Sequence, residues 1–424
     1  MEVKALPVSA TGFAPVVQNL LLKIESDPEL IFLFEKAFRE IPAEFQDAPD
    51  GFGFKRVRDH VELVHAIDRG LKTVPSWLSI AHSDCVIGCP INEALIWLMN
   101  TRTGSQILSR SDMNSMLGDI LKEWGTLLSS GQSTHVLRNE DGGWLSRVAR
   151  EELLRAVNTA HNAPFQVSSF EEAFVCDPSR PAYGFKSWDD FFTRVFRPGL
   201  RPVALPEDDS VIVNPCESLP FALATGVRTR QQFRLKGTTY SFEAMLNDDT
   251  MATRFAGGTV LQGWLSLLNY HRWHAPVAGT VVKSIHVDGT YFAADPAYGF
   301  ELMDADGQPT PDRQAPDASQ KLISSIATRE VIIIEADDGR IGHVGFVAIG
   351  MADVSGCVAT VCEGEHVSKG QEIGSFHYGG SSYCLLFQKD VSLRFSPLVE
   401  AALQGQAEIM EKCIALNSEI ARVI

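Results

Sequence analysis

Two serines follow two glycines in FHYGGSSYCLLFQ, residues Phe376 to Gln388. A serine hydroxyl is a weak nucleophile at neutral pH and needs a base to take its proton. That base works best when a carboxylate fixes its tautomer. Candidate bases stand in NYHRWHAPVAGTVV (Asn269–Val282), at His271 and His274. A candidate carboxylate, Glu217, lies in a Pro-Cys-Glu-Ser turn within VIVNPCESLPF. Ser381, a histidine and Glu217 together supply a nucleophile, a base and an orienting group. A serine directly after Gly-Gly can attack the carbonyl before it, because Gly380 brings no side chain to the approach. Taken singly, each segment has a plainer reading. GGSS is a turn, the histidine pair is structural or at the surface, and Glu217 is a solvated turn carboxylate.

A metal site is the other chemistry these residues suggest. His271 and His274 would share one face of a helix, but Pro276 and Gly279 follow at once, so an irregular segment entering a strand is expected. Cys85 and Cys89 form a C-x3-C pair near His82, and a zinc site needs further ligands at suitable spacing. No metal is expected. The eight cysteines are scattered without a disulfide framework, as in a reducing, cytoplasmic setting.

The elements that must position these groups change character along the chain. Asp27 can cap a helix with Pro28 in its first turn and Leu30, Phe34 and Phe38 on one face. From Ser111, the residues Met113, Met116, Leu117, Ile120, Leu121, Trp124, Leu127 and Leu128 hold a 3.6 period, with Gly131 as a stop. Trp144–Val157 is also amphipathic. Strand signals dominate from Val211. Thr280–Val287 ends at Asp288-Gly289, and Val331–Glu335 and Ile341–Ile349 flank Asp337-Asp338-Gly339 as a hairpin. Residues Asp304–Ala318 read as a long surface loop. The expected fold is α+β, with a helical N-terminal domain over 1–165 and a β-rich core over 166–424.

The chain of 424 residues is 45% hydrophobic and 21% charged, which suffices for two or three folded domains. A formal charge of −16 opposes nucleic acid and anionic lipid surfaces, and no apolar stretch is long enough to span a bilayer. Neither nucleic-acid binding nor stable membrane insertion is expected.

Four segments together resemble the phosphatidylserine decarboxylase family: DDFFTRVFRPGLRP (Asp189–Pro202), YHRWHAPVAGT (Tyr270–Thr280), GMADVSGCV (Gly350–Val358) and KGQEIGSFHYGGSS (Lys369–Ser382). GGSS alone is weak, whereas the histidine and glycine-serine segments in this order are highly specific. LMNTRTG (Leu98–Gly104), WGTLLSS (Trp124–Ser130), GWLS (Gly143–Ser146) and VIIIEADDG are similar to a soluble branch that includes fungal tryptophan decarboxylases. Lipid decarboxylases carry Asp-Gly where this chain has Glu217-Ser218, so the carboxylate is kept on a longer arm.

The resemblance implies self-cleavage between Gly380 and Ser381, with His274 as base and Glu217 as its orienting group. It implies a pyruvoyl group made from Ser381, without PLP or metal, and two cleaved chains that stay associated. That ketone would form a Schiff base with a small-molecule amino acid. His271 is the first candidate to return a proton to the substrate carbon, and His377 the second. An aromatic L-amino acid, tryptophan first, giving tryptamine, is the implied substrate. Phosphatidylserine, giving phosphatidylethanolamine, is the alternative. HAPVAGTVV and GEHVSKGQEIG also resemble the two hairpin halves of a lipoyl-like carrier, but the lysine tip of such a carrier is missing.

Overall fold

The computed structural model describes residues 12–42, 57–77, 89–230, 240–294, 302–303, 309–310, 319–350, 352–353, 356–377, 381–406 and 412–424. His82, Cys85, Gly379 and Gly380 lie outside them, as does most of 304–318, within which Pro309–Thr310 pairs with Leu302–Met303.

The N-terminal part is helical: α1 (Pro15–Ser26), α2 (Pro28–Glu40), α3 (His60–Leu71), α4 (Pro90–Met99), α5 (Arg102–Leu108), α6 (Ser111–Leu128) and α7 (Arg147–Thr159). The Asp27 carboxylate accepts the Glu29 and Leu30 N–H groups and so caps α2, where Leu30, Phe34 and Phe38 are buried. The apolar stripe of α6 is buried as its period requires. Its last helical residue is Leu128, and Gly131 instead opens a 3-10 turn, Gly131–Val136. Two short helices follow, α8 (Phe170–Ala173) and α9 (Trp188–Phe192).

Strands begin at residue 211. They are β1 (Val211–Val213), β2 (Leu219–Thr225), β3 (Thr259–Leu265), β4 (Arg272–His274), β5 (Gly279–Val287), β6 (Leu302–Met303), β7 (Pro309–Thr310) and β8 (Arg329–Ala336). They continue as β9 (His343–Ile349), β10 (Gly356–Ala359), β11 (His366–Val367), β12 (Glu372–His377), β13 (Ser381–Phe387), β14 (Leu393–Phe395) and β15 (Glu419–Val423). A seven-stranded antiparallel sheet has the order β11-β5-β8-β9-β13-β3-β2, and a three-stranded sheet the order β10-β12-β4. The Asp337-Asp338-Gly339 hairpin joins β8 to β9. The two carrier-like segments pair with each other, His366 opposite Thr280 and Val367 opposite Gly279.

Side chains alternate across a strand, and the large sheet uses both faces. Val331, Ile333, Val347, Ile349, Cys384 and Leu386 pack in one core with the N-terminal helices. Ile332, Ile334, Phe346, Ala348, Tyr383 and Leu385 pack in a second core with Trp273 and Phe376 of the small sheet. Strand β13 therefore lies between two cores. It is also flanked on both sides, by β9 and β3, from Ser382 to Phe387.

Candidate active site

Ser381 is the first residue of β13, and its backbone pairs with Leu265 of β3. His377 is the last residue of β12, opposite Gly356 of β10. Between His377 and Ser381 the chain thus passes from the small sheet to the large one.

His377 is not a solitary ring. Its Nδ1 lies 2.9 and 3.1 Å from the two carboxylate oxygens of Asp189, and its Nε2 lies 3.2 Å from the Ser375 hydroxyl. Asp189 stands in the first turn of α9, so a helix start and a strand end meet here. An Nδ1–H on the carboxylate leaves Nε2 as the proton-exchanging atom. Asp189 belongs to the DDFFTR segment, which the sequence offered only as a mark of resemblance.

His271 is fully buried, stacked on Phe192 at 4.0 Å between ring centroids. Among the described residues neither ring nitrogen makes a hydrogen bond of full geometry, and the Asn269 backbone pulls only weakly toward the charged form. Burial holds the imidazole well below the usual range, and the nearby Arg194 cation adds to this. The ring is therefore neutral at pH 7. Arg194 itself holds the approach to this histidine, donating to the carbonyls of Leu268 and Asn269 at 2.7 and 3.1 Å.

His274 forms the end of β4, opposite Glu372. Its Nδ1 lies 2.7 Å from the Gly370 carbonyl, and its Nε2 lies 3.5 Å from the Tyr270 hydroxyl. Nδ1 thus carries the proton and Nε2 the lone pair. Burial lowers its pKa, so it too is a neutral base.

The expected contact between Glu217 and His274 is not made. Glu217 accepts from Arg201 at 2.6 and 3.2 Å and from the Leu416 N–H at 2.7 Å. The orienting group of His274 is a backbone carbonyl, and the longer glutamate arm meets a buried guanidinium instead. Glu217 still shapes the site, because Arg201 lies over Phe196, which stacks on Tyr270 at 4.2 Å. Its neighbour Ser218 lies 3.0 Å from the hydroxyl of Tyr383, which also donates to Asn214 at 3.0 Å. Tyr383 is two residues along β13 from Ser381, so this turn braces the strand that starts at Ser381. Asp189, Arg194, Arg201 and Tyr383 were not distinguishable as site residues from their spacing.

Among the described residues no cluster of three or more His, Cys, Asp or Glu could hold a metal ion. The two histidines are three apart in extended chain rather than on a helix.

The phosphatidylserine decarboxylase family profile matches residues 188–404, and a second profile of that description matches 14–153. The chain belongs to the phosphatidylserine decarboxylase family, and the protein is a decarboxylase. It is 40% identical to Decarboxylase iboD of Amanita muscaria over 79% of this chain and 91% of that one. It is 36% identical to the L-tryptophan decarboxylase of Psilocybe cubensis, over 89% of this chain and 81% of that one. Similarity to phosphatidylserine decarboxylase proenzyme 3 of Schizosaccharomyces pombe is 30% over 60% of this chain and 25% of that one. Among the described residues no helix is long and apolar enough to cross a membrane.

Proposed function

We propose that the protein cleaves itself between Gly380 and Ser381 and then decarboxylates a free aromatic L-amino acid, tryptophan first. The observation that carries this reading is the Asp189–His377 pair at the last strand position before the cleavage segment.

The residues present fit a pyruvoyl group at position 381. Cleavage would free the start of a strand whose next six residues stay paired on both sides. The 381–424 chain also supplies β14 and β15, and β15 pairs with β1 of the larger chain. The two chains therefore stay together. When formed, a pyruvoyl group supplies a ketone that condenses with an amine and takes up the electrons released with CO2.

The protein's own groups do the rest. His274, neutral and with its Nε2 lone pair met only by the Tyr270 hydroxyl at 3.5 Å among the described residues, takes the hydroxyl proton of Ser381 during maturation. His377, fixed by Asp189, returns a proton to the substrate carbon through Nε2. His271 was the first candidate for that task. Its sealed, neutral ring and its stacking on Phe192 favour a packing role, so His377 is preferred. The buried rings of Phe192 and Tyr270 keep water from these groups.

Intact-mass measurement on wild type and Ser381→Ala tests the maturation. Wild type should split, its small chain lighter by one ammonia than a serine-started chain, and Ser381→Ala should stay whole. Incubation with L-tryptophan or with phosphatidylserine vesicles then tests the substrate. Tryptamine formation supports the reading, and turnover of the lipid alone overturns it.

A further inference from the structure

One face of the large sheet carries a polar group through an apolar core. Strand β3 runs beside β13, with Trp264 opposite Ser382 and Gln262 opposite Cys384. Side chains alternate along a strand, so Gln262, Ser382 and Cys384 share a face. Val260, Val347, Ile349, Cys384 and Leu386 are buried in the core that this face forms with the N-terminal helices. Gln262, Ser382, Gln320 and Tyr240 are each at most 3% exposed. A buried amide costs stability unless its hydrogen bonds are met.

The bonds of this group run in one direction. The Tyr240 hydroxyl donates to Oε1 of Gln262 at 2.6 Å. That turns the amide nitrogen the other way, where it donates to Oε1 of Gln320 at 3.4 Å and to the Ser382 hydroxyl oxygen at 3.5 Å. An amide NH2 cannot accept, so the serine oxygen is the acceptor. Gln320 opens the helix Gln320–Ile326. Tyr240, Gln320 and Ser382 thus meet at one amide from three separate parts of the chain.

Ser382 is where β13 becomes secure. From Ser382 onward the strand is paired with both β3 and β9, whereas among the described residues Ser381 is paired with β3 alone, at Leu265. Cleavage before Ser381 would leave that residue at the head of its chain, held by one strand and by its peptide bond to Ser382. How Ser382 sits therefore sets how residue 381 sits. The mechanism proposed above gives Gln262 and Tyr240 no task.

We infer that Gln262 is a positioning residue for the reacting serine: fixed by Tyr240, its amide holds the Ser382 hydroxyl, and with it the head of β13, in the orientation that self-cleavage needs. This role rests on the self-cleavage proposed above and deepens it.

The test follows cleavage of freshly made full-length chains by intact mass over time. Gln262→Met keeps the bulk and removes the amide, and Ser382→Ala removes the hydroxyl. Each should slow cleavage about threefold to tenfold, the size of one neutral hydrogen bond. The double variant should be no slower than the slower single one, because both remove the same bond. Ser382→Ala is the smaller change and carries the test alone if Gln262→Met does not fold. Val260→Ala, on the same strand and face, should lose stability by leaving a cavity yet cleave at the wild-type rate, which separates positioning from packing. Hydrogen exchange on the Ser381→Ala background reads the same contact without any cleavage. There the amides of Ser382 and Tyr383 should exchange about threefold to tenfold faster with Gln262→Met, while Val260→Ala should not single out these two. Wild-type cleavage and exchange in the Gln262 and Ser382 variants, or single effects that multiply in the double variant, overturn the role of Gln262. A wild type that stays whole while exchange responds as expected overturns the self-cleavage reading instead.

Discussion

Arg201 and Glu217 form an ion pair at 2.6 Å with both side chains 2% exposed, so the carboxylate that the chemistry assigns to a histidine belongs to an arginine. Replacing one member of such a pair leaves the other charged and buried. Arg201→Ala should cost about 3–5 kcal/mol. Denaturant unfolding measures this, and a loss below about 1 kcal/mol would mean that Glu217 finds water or another cation.

The Asp189–His377 pair makes a kinetic prediction. His377→Ala should cleave normally, yet turn over about 10²–10⁴-fold more slowly, the size of a lost proton donor. Asp189→Asn should reduce kcat as well, because the amide no longer fixes Nδ1–H. If His271→Asn lowers kcat as far as His377→Ala while cleavage stays complete, the sealed histidine is the donor after all. Single-turnover assays on chains of confirmed mass distinguish the two.

Asp353 makes a stability prediction. Burial pushes its carboxyl up to about 7, against the pull of the Asn92 and Ile91 N–H groups. In the unfolded chain it ionises near 4. Between those values the folded state holds a proton that the unfolded state has released. Stability should therefore fall as pH rises from about 4 to 7, by up to about 4 kcal/mol from this one group. Urea unfolding of wild type and Asp353→Asn at pH 5 and pH 8 isolates it. The wild type should lose more stability than the variant on going to pH 8, and equal slopes would rule out a raised carboxyl.

Gly263 makes a packing prediction. A Cβ there would fall 2.5 Å from the ring of Tyr383, whose hydroxyl braces the Asn214–Ser218 turn. Gly263→Ala should cost about 1–3 kcal/mol by overpacking and slow self-cleavage by shifting β13. Mass spectra taken over time after synthesis measure the second effect. Cleavage at the wild-type rate, with the stability cost present, would separate the brace from maturation.

Local pattern carried much of this architecture. The Asp27 cap, the stripe of α6 and the Asp337-Asp338-Gly339 hairpin depend on residues within a few positions of one another, and each formed as its spacing indicates. The order of YHRWHAP and GGSS marked the family, because each motif sits in one unbroken segment. Partner choice was decided elsewhere. Asp189 reaches His377 across 188 residues, Arg201 reaches Glu217 across 16, and Asp353 reaches the start of α4 across 261 and 262. A buried charge takes whichever opposite charge or N–H the packed chain brings within about 3 Å. That choice is made by how β12 meets α9 and how the β9–β10 connection meets α4, and no spacing within one segment encodes it.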